Sequence, residues 1–525
     1  MTPTRPPKKL LPPFLLTWAV LFGGAIRLYA AWKAGFPMVD GGMFVSMARD
    51  LQANHYLLPV FTSYNHLQIP YAYPPLGFYL LAGFNDLFHI SLASLLVWLP
   101  ASLSILTIPA VYLLAKALLG SDSRAGLAAA IYALTPMAFE WELQGGGLTR
   151  SLGAVFALLA VYFAIRMFRE KTPGLLAATL LAGTLTVYSH PEWALQAAVA
   201  CLLAGLVWGR NKWGALSALA VGGGVLALSA PWWAVVAARS GLGTFLLAAG
   251  TPQGRLFFWL PLLSMDFASA ANVLAAGLAI LGLFACLKEK EYFLPAWLAA
   301  SFLADPRGAG HVVPVLLALL SAAALGGMVL PWLGTPQSGD RPADWTRTLS
   351  RPLVQACLGY LFLAMWIGSF TSATSLSGLN VLPAADRQAL EWVRLNTPPG
   401  SRFVALAWRD SPWVSPLPEW FPALSGRASL TTVQGREWLA GKQNLTPWIE
   451  DFEAVQACLY RDAACLEAWS AEQGQPFDYV YLSMLSSLGD PDSVRVSPLF
   501  LSLSQSKDYL LVYDTPAVEI FEHSK

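Results

Sequence analysis

Long apolar stretches, separated by short polar loops, fill roughly the first 370 of the 525 residues. A helix needs about 20 mostly apolar residues to cross the hydrocarbon core of a membrane. The chain is therefore predicted to be an α-helical, multi-pass membrane protein. About eleven spans are predicted, near residues 12–33, 92–118, 125–142, 150–168, 174–189, 193–208, 214–237, 259–286, 291–304, 311–333 and 352–371.

The apolar stretch from Tyr73 to Phe84 is interpreted differently, as a juxtamembrane or re-entrant helix. Its opening Pro74-Pro75 pair suits the start of a helix, where missing N–H donors do no harm. Lysine and arginine collect in cytoplasmic loops. The basic loop around Arg166 lies on the same side of the membrane as the basic N-terminus only if the stretch from Tyr73 to Phe84 does not cross the membrane. The sequence thus predicts a plasma-membrane protein with a cytoplasmic N-terminus and an extracytoplasmic tail.

After residue 372 the long apolar runs give way to shorter helix-like and strand-like segments in a polar setting. About 150 residues are enough for a separate hydrophobic core. The sequence therefore predicts a membrane domain at 1–371 and a soluble, extracytoplasmic α/β domain at 372–525. Helices are predicted at 386–396 and 447–470, and strands at 402–408, 428–433, 477–482, 509–513 and 517–522.

Composition supports the membrane assignment and excludes one class of partner. Hydrophobic residues make up 56% of the chain and charged residues 12%, whereas soluble domains carry about 25% charged residues. The formal net charge is +1, without the basic excess that binding to a polyanion requires. No nucleic-acid partner is expected, and membrane lipids are the expected surroundings.

In the predicted topology, the ionisable residues of the membrane domain fall largely at the extracytoplasmic ends of the spans. Ionisable groups near lipid are costly and usually mark a site or a pathway. Their convergence predicts a polar cavity on that face. The residues are Asp40, Glu140, Glu142, Arg150, His190, Glu192, Arg255, Arg307 and His311.

The order of the motifs resembles the GT-C superfamily of polytopic glycosyltransferases, over residues 10–240 best. The resemblance rests on Asp40 in the first external loop, on Tyr73-Pro74-Pro75-Leu76, and on Arg124 before a span that ends in Thr135-Pro136. The superfamily includes protein O-mannosyltransferases, lipid A aminoarabinose transferases and oligosaccharyltransferase subunits. It implies transfer of a sugar from a polyprenyl phosphate or pyrophosphate to an extracytoplasmic acceptor, with Asp40 as the catalytic residue.

The candidate residues fit the chemistry of such a transfer. Asp40 can take a proton from an acceptor hydroxyl as a general base, and Glu140 and Glu142 form a candidate second acidic site, with a divalent metal as a candidate cofactor. Cationic groups stabilise a phosphate leaving group. The candidate phosphate ligands are Arg255, Arg307 and His311, and further substrate contacts are expected from Arg150, His190 and Glu192.

Two departures from oligosaccharyltransferase subunits disfavour peptide N-glycosylation. Asp40 is followed by Gly41-Gly42 instead of a second acidic group, and the tail has no Trp-Trp-Asp signature. Asp40 is therefore interpreted as a solitary base.

The Trp-rich stretch 408–422 contains several prolines and is predicted to be an irregular loop. Long ordered loops are often functional, and aromatic faces suit stacking on sugars. Glu419 and Trp420 are therefore candidate substrate contacts in a loop over the active site. The alternative is local packing or an interfacial tryptophan anchor.

Cys458 and Cys465 lie in the tail, where disulfides are permitted. A continuous helix would place them about 10 Å apart, beyond the reach of a disulfide. The sequence therefore predicts a helix break near Arg461-Asp462 and a Cys458–Cys465 disulfide.

Less specific interpretations stay open at this point. Asp40 can cap the helix that follows it, the acidic pair Glu140 and Glu142 can be structural, and His190 can satisfy a helix end. The same polar cavity would also suit a transporter or flippase of lipid-linked sugars, or a non-catalytic scaffold of the cell envelope.

Overall fold

The structure is a computed structural model that describes residues 11–249, 270–330, 351–379, 381–408, 415–440, 445–484 and 497–524. Helices make up most of the chain before residue 380. They are α1 (Leu11–Ala34), α2 (Gly42–Ala53), α3 (Leu76–Phe88), α4 (Leu92–Leu119), α5 (Asp122–Ala133), α6 (Gly147–Glu170), α7 (Pro173–Ser189), α8 (Pro191–Trp208), α9 (Lys212–Ser240), α10 (Gly243–Ala249), α11 (Ala270–Lys288), α12 (Phe293–Ala304), α13 (Ala309–Ala324) and α14 (Pro352–Leu379).

Seven helices among the described residues are long and apolar enough to cross a membrane. They are α1, α4, α6, α8, α9, α13 with its continuation to Val329, and α14. Helices α3, α7, α11 and α12 are apolar but shorter. The protein is thus a multi-pass membrane protein. The part of the predicted 259–286 span before residue 270 lies outside the described residues.

The predicted span at 125–142 is wrong in its length. Helix α5 ends at Ala133, and a short 3₁₀ turn, Pro136–Ala138, follows it. Proline disfavours the α conformation in the residue before it and cannot donate to the preceding turn, so Thr135-Pro136 ends the helix. The residues from Phe139 to Gly146 form a loop instead, and this loop supplies part of the candidate site.

Helix α6 lies at the centre of the membrane helices and packs against α4, α7 and α8. Small side chains let membrane helices approach closely. At Gly153 a Cβ would lie 2.8 Å from His190 Cβ, so the glycine allows α6 to contact the turn between α7 and α8. This contact brings the polar residues of that turn towards the start of α6.

The tail carries most of the strands. A small antiparallel pair, β1 (Phe61–Thr62) and β2 (Ile69–Pro70), precedes α3. The elements after residue 380 are α15 (Ala384–Asn396), β3 (Arg402–Ala407), α16 (Pro416–Ser425), β4 (Ala428–Ser429), α17 (Glu437–Ala440), α18 (Thr446–Ala457), α19 (Ala463–Gln473), β5 (Tyr479–Ser483), α20 (Pro498–Gln505), β6 (Tyr509–Asp514) and β7 (Val518–His523).

Five of these strands form one mixed sheet in the order β4-β3-β5-β7-β6. Strand β3 runs parallel to β4 and β5, with Phe403 opposite Tyr479. Strand β7 runs antiparallel to both β5 and β6. The sheet is thus parallel on one side and closes with an antiparallel hairpin on the other.

The two faces of the sheet enter different cores because side chains alternate along a strand. Phe403 and Tyr481 face α16 and share one core with Phe44 of α2 and Phe78 of α3. On the opposite face, Val404 and its alternating neighbours pack against α18, α19 and α20. The first core joins the sheet directly to helices α2 and α3.

The prediction of an irregular loop at 408–422 is wrong from residue 416 onwards, because Pro416–Ser425 is helix α16. Proline is tolerated in the first turn of a helix, where its missing N–H has no intrahelical partner. Pro416 occupies this part of the helix. Residues 409–414 of the predicted loop lie outside the described residues.

The helix predicted at 447–470 is interrupted between Cys458 and Cys465, as a disulfide between these two residues requires. Helix α18 ends at Ala457, and α19 begins at Ala463 after Asp462, whose side chain accepts a hydrogen bond from the Cys465 N–H. The Cα atoms of Cys458 and Cys465 lie 5.6 Å apart, and a disulfide joins the two residues.

Candidate functional site

The loop after α1 is held in an unusual backbone conformation. Val39 has a φ of 59°, and Gly41 has a φ of 124°. A β-branched residue rarely adopts positive φ, and such strain persists only where the surroundings enforce it. One constraint is a backbone bridge to the loop before α6, in which the Gly145 N–H donates to the Met38 carbonyl oxygen at 3.0 Å.

The Asp40 carboxylate lies at the start of α6. Its Oδ1 atom accepts a hydrogen bond from the Gly146 N–H at 2.7 Å. A Cβ on Gly146 would lie 2.6 Å from Asp40 Oδ2, and one on Gly145 would collide with the Asp40 carbonyl oxygen. The glycine run Gly145-Gly146-Gly147 therefore allows this approach. The positive end of the α6 dipole also favours an anion here.

Asp40 does not cap the helix that follows it. The N-cap residue of α2 is Gly41, which has no side chain to cap the helix. Asp40 is only partly buried. The capping interpretation is therefore wrong for α2, and the second carboxylate oxygen stays within reach of a ligand.

Glu419, on α16, lies beneath the same loop. Its Oε1 atom accepts hydrogen bonds from the N–H groups of Gly41 at 3.3 Å and Met43 at 3.1 Å. The Tyr64 hydroxyl donates to the Glu419 carbonyl oxygen at 2.7 Å. Since Glu419 is only 3% exposed, it supports the loop from below and does not line an open cavity.

Burial, and then the negative charge of Asp40, raise the pKa of Glu419 to about 7, although three hydrogen bonds to the carboxylate oppose this. The negative charge of Asp40 thus disfavours the ionised form of Glu419.

Arg150, one turn into α6, brings a cation to the same place. Its Nε donates to the Trp141 carbonyl oxygen at 3.0 Å, and its guanidinium carbon lies 5.6 Å from the centre of the Trp141 ring. A Cβ on Gly146 would lie 3.3 Å from Arg150 Nη2, beside Asp40 Oδ2. Nη2 is buried and has no hydrogen-bond partner among the described residues.

A second group of charges lies where α8 begins and α13 begins. Glu192 accepts from both neighbours, with Oε1 3.0 Å from Arg307 Nε and Oε2 2.8 Å from His311 Nε2. The Trp193 ring stacks on His311 at a centroid distance of 5.6 Å. The charges in this group are largely paired with one another.

His190 and Glu142 connect the two groups. The rings of His190 and His311 lie 5.4 Å apart. Burial lowers the pKa of His190 well below its usual range, and the nearby charges of His311, Arg150 and Arg307 lower it further. Burial raises the pKa of Glu142, against the positive charges of His311 and Arg150. Arg150 is thus close to both groups.

We call the combined set the polar cluster. Its members come from the loop after α1, the start of α6, the turn between α7 and α8, and the start of α13. They are Asp40, Glu142, Arg150, His190, Glu192, Arg307 and His311.

Other predicted site residues lie elsewhere. Glu140 accepts a hydrogen bond from the Ser372 hydroxyl of α14 and so turns away from Glu142, because the two residues lie in a loop and not on a continuous helix. Trp420 is fully buried, with its ring 4.6 Å from Phe36. The prediction that Trp420 contacts substrate is thus wrong. Arg255 lies outside the described residues.

The possible metal-ligand atoms of His190, Glu192 and His311 lie within 4.8 Å of one another, a spacing that a metal ion could span. Both Glu192 oxygens, however, already contact Arg307 and His311. The Arg307 guanidinium places a positive charge where a metal would add its own, so the residues present favour an ion-pair network.

Comparison with known proteins agrees with this arrangement. A family model described as dolichyl-phosphate-mannose-protein mannosyltransferase matches residues 72–235. ArnT from Cupriavidus metallidurans, in the apo state, matches with a TM-score of 0.58 and 16% identity, over 96% of this chain and 98% of ArnT. The chain has the GT-C fold. No curated protein matches its sequence.

A second GT-C structure is arabinofuranosyltransferase AftD from Mycobacteria. It matches with a TM-score of 0.58 and 17% identity over 97% of this chain, which spans 40% of the AftD chain. The resemblance predicted from the sequence is thus confirmed at the level of the fold. The matching family model begins next to Tyr73 and includes Glu142, Arg150, His190 and Glu192, but not Asp40.

Sequence reasoning missed two residues that contact the candidate site or the residues that support it. Tyr64 holds the Glu419 backbone, and no local pattern marks it. Tyr73 is partly buried and its ring contacts His190 and Phe44, and its hydroxyl lies 3.3 Å from Thr149 Oγ1. The Tyr73-Pro74-Pro75 motif marks the start of a helix and the family resemblance, but it does not by itself indicate this contact.

Glu419 makes stability depend on pH. The pKa of Glu419 is about 7 in the folded protein, whereas a free glutamate side chain has a pKa of 4.5. Between pH 4.5 and 7 the folded state therefore keeps a proton that the unfolded chain loses. The free energy of unfolding should therefore fall as pH rises from 4.5 to 7, by at most a few kcal/mol at about 1.4 kcal/mol per pKa unit. Glu419→Gln, which cannot titrate, should lose the part of this dependence that Glu419 contributes, whereas Glu519, whose pKa burial also raises to about 7, keeps its own part.

Thermal unfolding of the detergent-solubilised protein between pH 4.5 and 8 measures the effect. Glu453→Gln, at an exposed position of the tail, is the matched control and should keep the dependence of the unaltered protein. An unchanged pH dependence in Glu419→Gln would show that this carboxyl is not the titrating group.

Proposed function

We propose that this protein is a membrane glycosyltransferase that moves a sugar from a polyprenyl-phosphate carrier to a hydroxyl of an extracytoplasmic acceptor, which is a glycan, a lipid or a protein. The observation that carries the proposal is the position of Asp40 beside Arg150 at the start of α6. Asp40 is a partly exposed residue whose Oδ2 lies near Arg150 Nη2, a buried N–H donor without a partner among the described residues. The glycosyltransferases that share the GT-C fold support it.

Asp40 acts as the general base in this proposal. Its Oδ1 is held by Gly146, which leaves Oδ2 to take the proton of the acceptor hydroxyl as the oxygen attacks the anomeric carbon. The bond from that carbon to the carrier phosphate breaks on the opposite face, and its electron pair leaves with the phosphate. One displacement of this kind inverts the anomeric configuration.

Arg150 stabilises the leaving phosphate. Charge-assisted hydrogen bonds from a guanidinium are among the strongest available to a phosphate oxygen, and a preorganised donor acts most strongly where water is excluded. Arg307 contributes from the other side of the polar cluster, since its Nε contacts Glu192 while its side chain stays 45% exposed. His311, paired with Glu192, orients that carboxylate.

The proposed topology has about eleven spans, a cytoplasmic N-terminus, and residues 372–525 as an extracytoplasmic α/β domain. Three observations support it. The sheet of the tail shares a core with α2 and α3, so both lie on one side. The tail carries a disulfide, which suits an oxidising compartment. The short helices α5, α7 and α12 stop before the polar cluster.

A transporter of lipid-linked sugars is less well supported. Transporters usually place their site near the middle of the membrane, at discontinuous helices. Here Asp40, Arg150, His190 and Arg307 lie at or near helix ends, next to the sheet-bearing tail. A site between helix ends and a covering layer suits a reaction at the membrane surface.

Asp40→Asn should reduce sugar transfer by at least about 100-fold, since general base catalysis contributes roughly 10²–10⁴. The amide preserves size and the hydrogen bond from Gly146 but cannot take the proton. Asp50→Asn is the matched control. Asp50 lies on α2, the helix that follows Asp40, and its side chain accepts a hydrogen bond from the Ser63 N–H. The measurement is transfer from radiolabelled polyprenyl-phosphate sugars in proteoliposomes. Normal transfer by folded Asp40→Asn would overturn the assignment.

The topology predicts opposite labelling of two loops. His55 follows α2, and Lys171 joins α6 to α7; both are exposed. In a variant whose three free cysteines, Cys201, Cys286 and Cys357, are replaced by serine, His55→Cys should react with a membrane-impermeant maleimide in intact cells. Lys171→Cys should react only after permeabilisation. The reverse result would place Asp40 on the cytoplasmic side.

A further inference from the structure

A second polar pocket lies away from the polar cluster, between the end of α1, helix α2 and helix α15. Its volume is about 550 Å³. It is lined by Phe36, Arg49, Arg387, Glu391, Arg394 and Leu424. Three arginines against one glutamate give this pocket a net positive charge.

Arg387 has an unsatisfied donor in this pocket. Its guanidinium carbon lies 4.7 Å from the centre of the Phe36 ring, which fixes the plane of the group. Its Nε is buried and has no hydrogen-bond partner among the described residues. Since an unpaired buried donor costs about 1–3 kcal/mol, an acceptor from a ligand would stabilise this arrangement.

Arg49 and Arg394 add two positive charges that repel each other. Arg49 Nη1 donates to the Ala423 carbonyl oxygen at 2.6 Å, which anchors the side chain. Burial, and then the positive charge of Arg394, lower the pKa of Arg49. Asp50, next to Arg49 in the chain, partly opposes this shift. Glu391 pairs with Arg394, with Arg394 Nε 3.0 Å from Oε2. Among the described residues that line the pocket, one carboxylate thus faces three guanidinium groups.

The pocket lies close to where two spans end. Helix α1 ends at Ala34, just before Phe36. Helix α14 ends at Leu379, and α15 begins at Ala384 with Arg387 in its first turn. In the proposed topology the ends of these spans lie near the phosphates of the bilayer, and arginine forms paired hydrogen bonds with phosphate oxygens.

We propose that this arginine pocket binds a phosphate group at the membrane surface, carried either by a lipid headgroup or by a free phosphate. The pocket shares no lining residue with the polar cluster. The two are connected only through packing, because Phe36 in the pocket wall packs against Trp420, and Trp420 lies against Gly41. Arg387 and Arg394 hold the anion from α15, and Arg49 holds it from α2. Binding does not depend on the proposed glycosyltransferase activity.

The full chain in a maltoside detergent, which contains no phosphate, tests this by calorimetric titration with inorganic phosphate and, separately, with a short-chain phosphatidylglycerol. Arg387→Gln and Arg394→Gln should each weaken binding about tenfold, the equivalent of one charge-assisted hydrogen bond. Binding should also weaken as salt rises. Arg461→Gln, at an exposed residue on the far side of the sheet, should bind as the unaltered protein does.

The two probes distinguish the sources of the phosphate. Binding of both supports a general phosphate site, and binding of phosphatidylglycerol alone supports a headgroup site. Arg394 is half exposed, so Arg394→Gln keeps the test valid if Arg387→Gln does not fold. The proposal is overturned if the unaltered protein binds neither probe, or if Arg394→Gln binds both with unchanged affinity.

Discussion

The site depends on one hydrogen bond, from the backbone N–H of Gly146 to the side-chain oxygen Oδ1 of Asp40. It joins the loop after the first helix to the start of the central helix α6 and leaves one carboxylate oxygen facing the arginine of that helix. A run of glycines allows the contact sterically. From below, Glu419 accepts from the backbone of the same loop, so the tail helps to set the position of Asp40.

This arrangement explains why the sheet-bearing tail and the membrane helices share one core. The inner face of the sheet packs with α16, α2 and α3, and α16 carries Glu419. Because Asp40 and Glu419 repel each other when both are ionised, the pKa of Glu419 reports on the charge of Asp40. A mobile tail would lose both the core and this coupling, and the carboxylate would lose its fixed orientation.

Much of the fold follows from periodicity and length, and less of the site does. The long apolar runs of α1, α4 and α6, and the strands β3 and β5, lie close to their predicted ranges. Glu419 and Gly41 are 378 residues apart, so no local pattern reveals their contact. Glu140 and Glu142 look equivalent in the sequence, but the loop turns one to Ser372 and buries the other. The sequence identifies Arg150 as a candidate cationic contact, but only the fold shows that it lies beside Asp40.

The most direct test of the account is Gly146→Ala. Gly146 has ordinary helical φ and ψ, so alanine adds no backbone strain, but its Cβ would lie 2.6 Å from Asp40 Oδ2 and displace the carboxylate. Gly83→Ala, on α3, meets no atom within 4 Å and serves as the matched control. The account predicts that transfer from a labelled polyprenyl-phosphate sugar falls at least about tenfold in folded Gly146→Ala and stays unchanged in Gly83→Ala. Equal transfer rates in the two variants would contradict it.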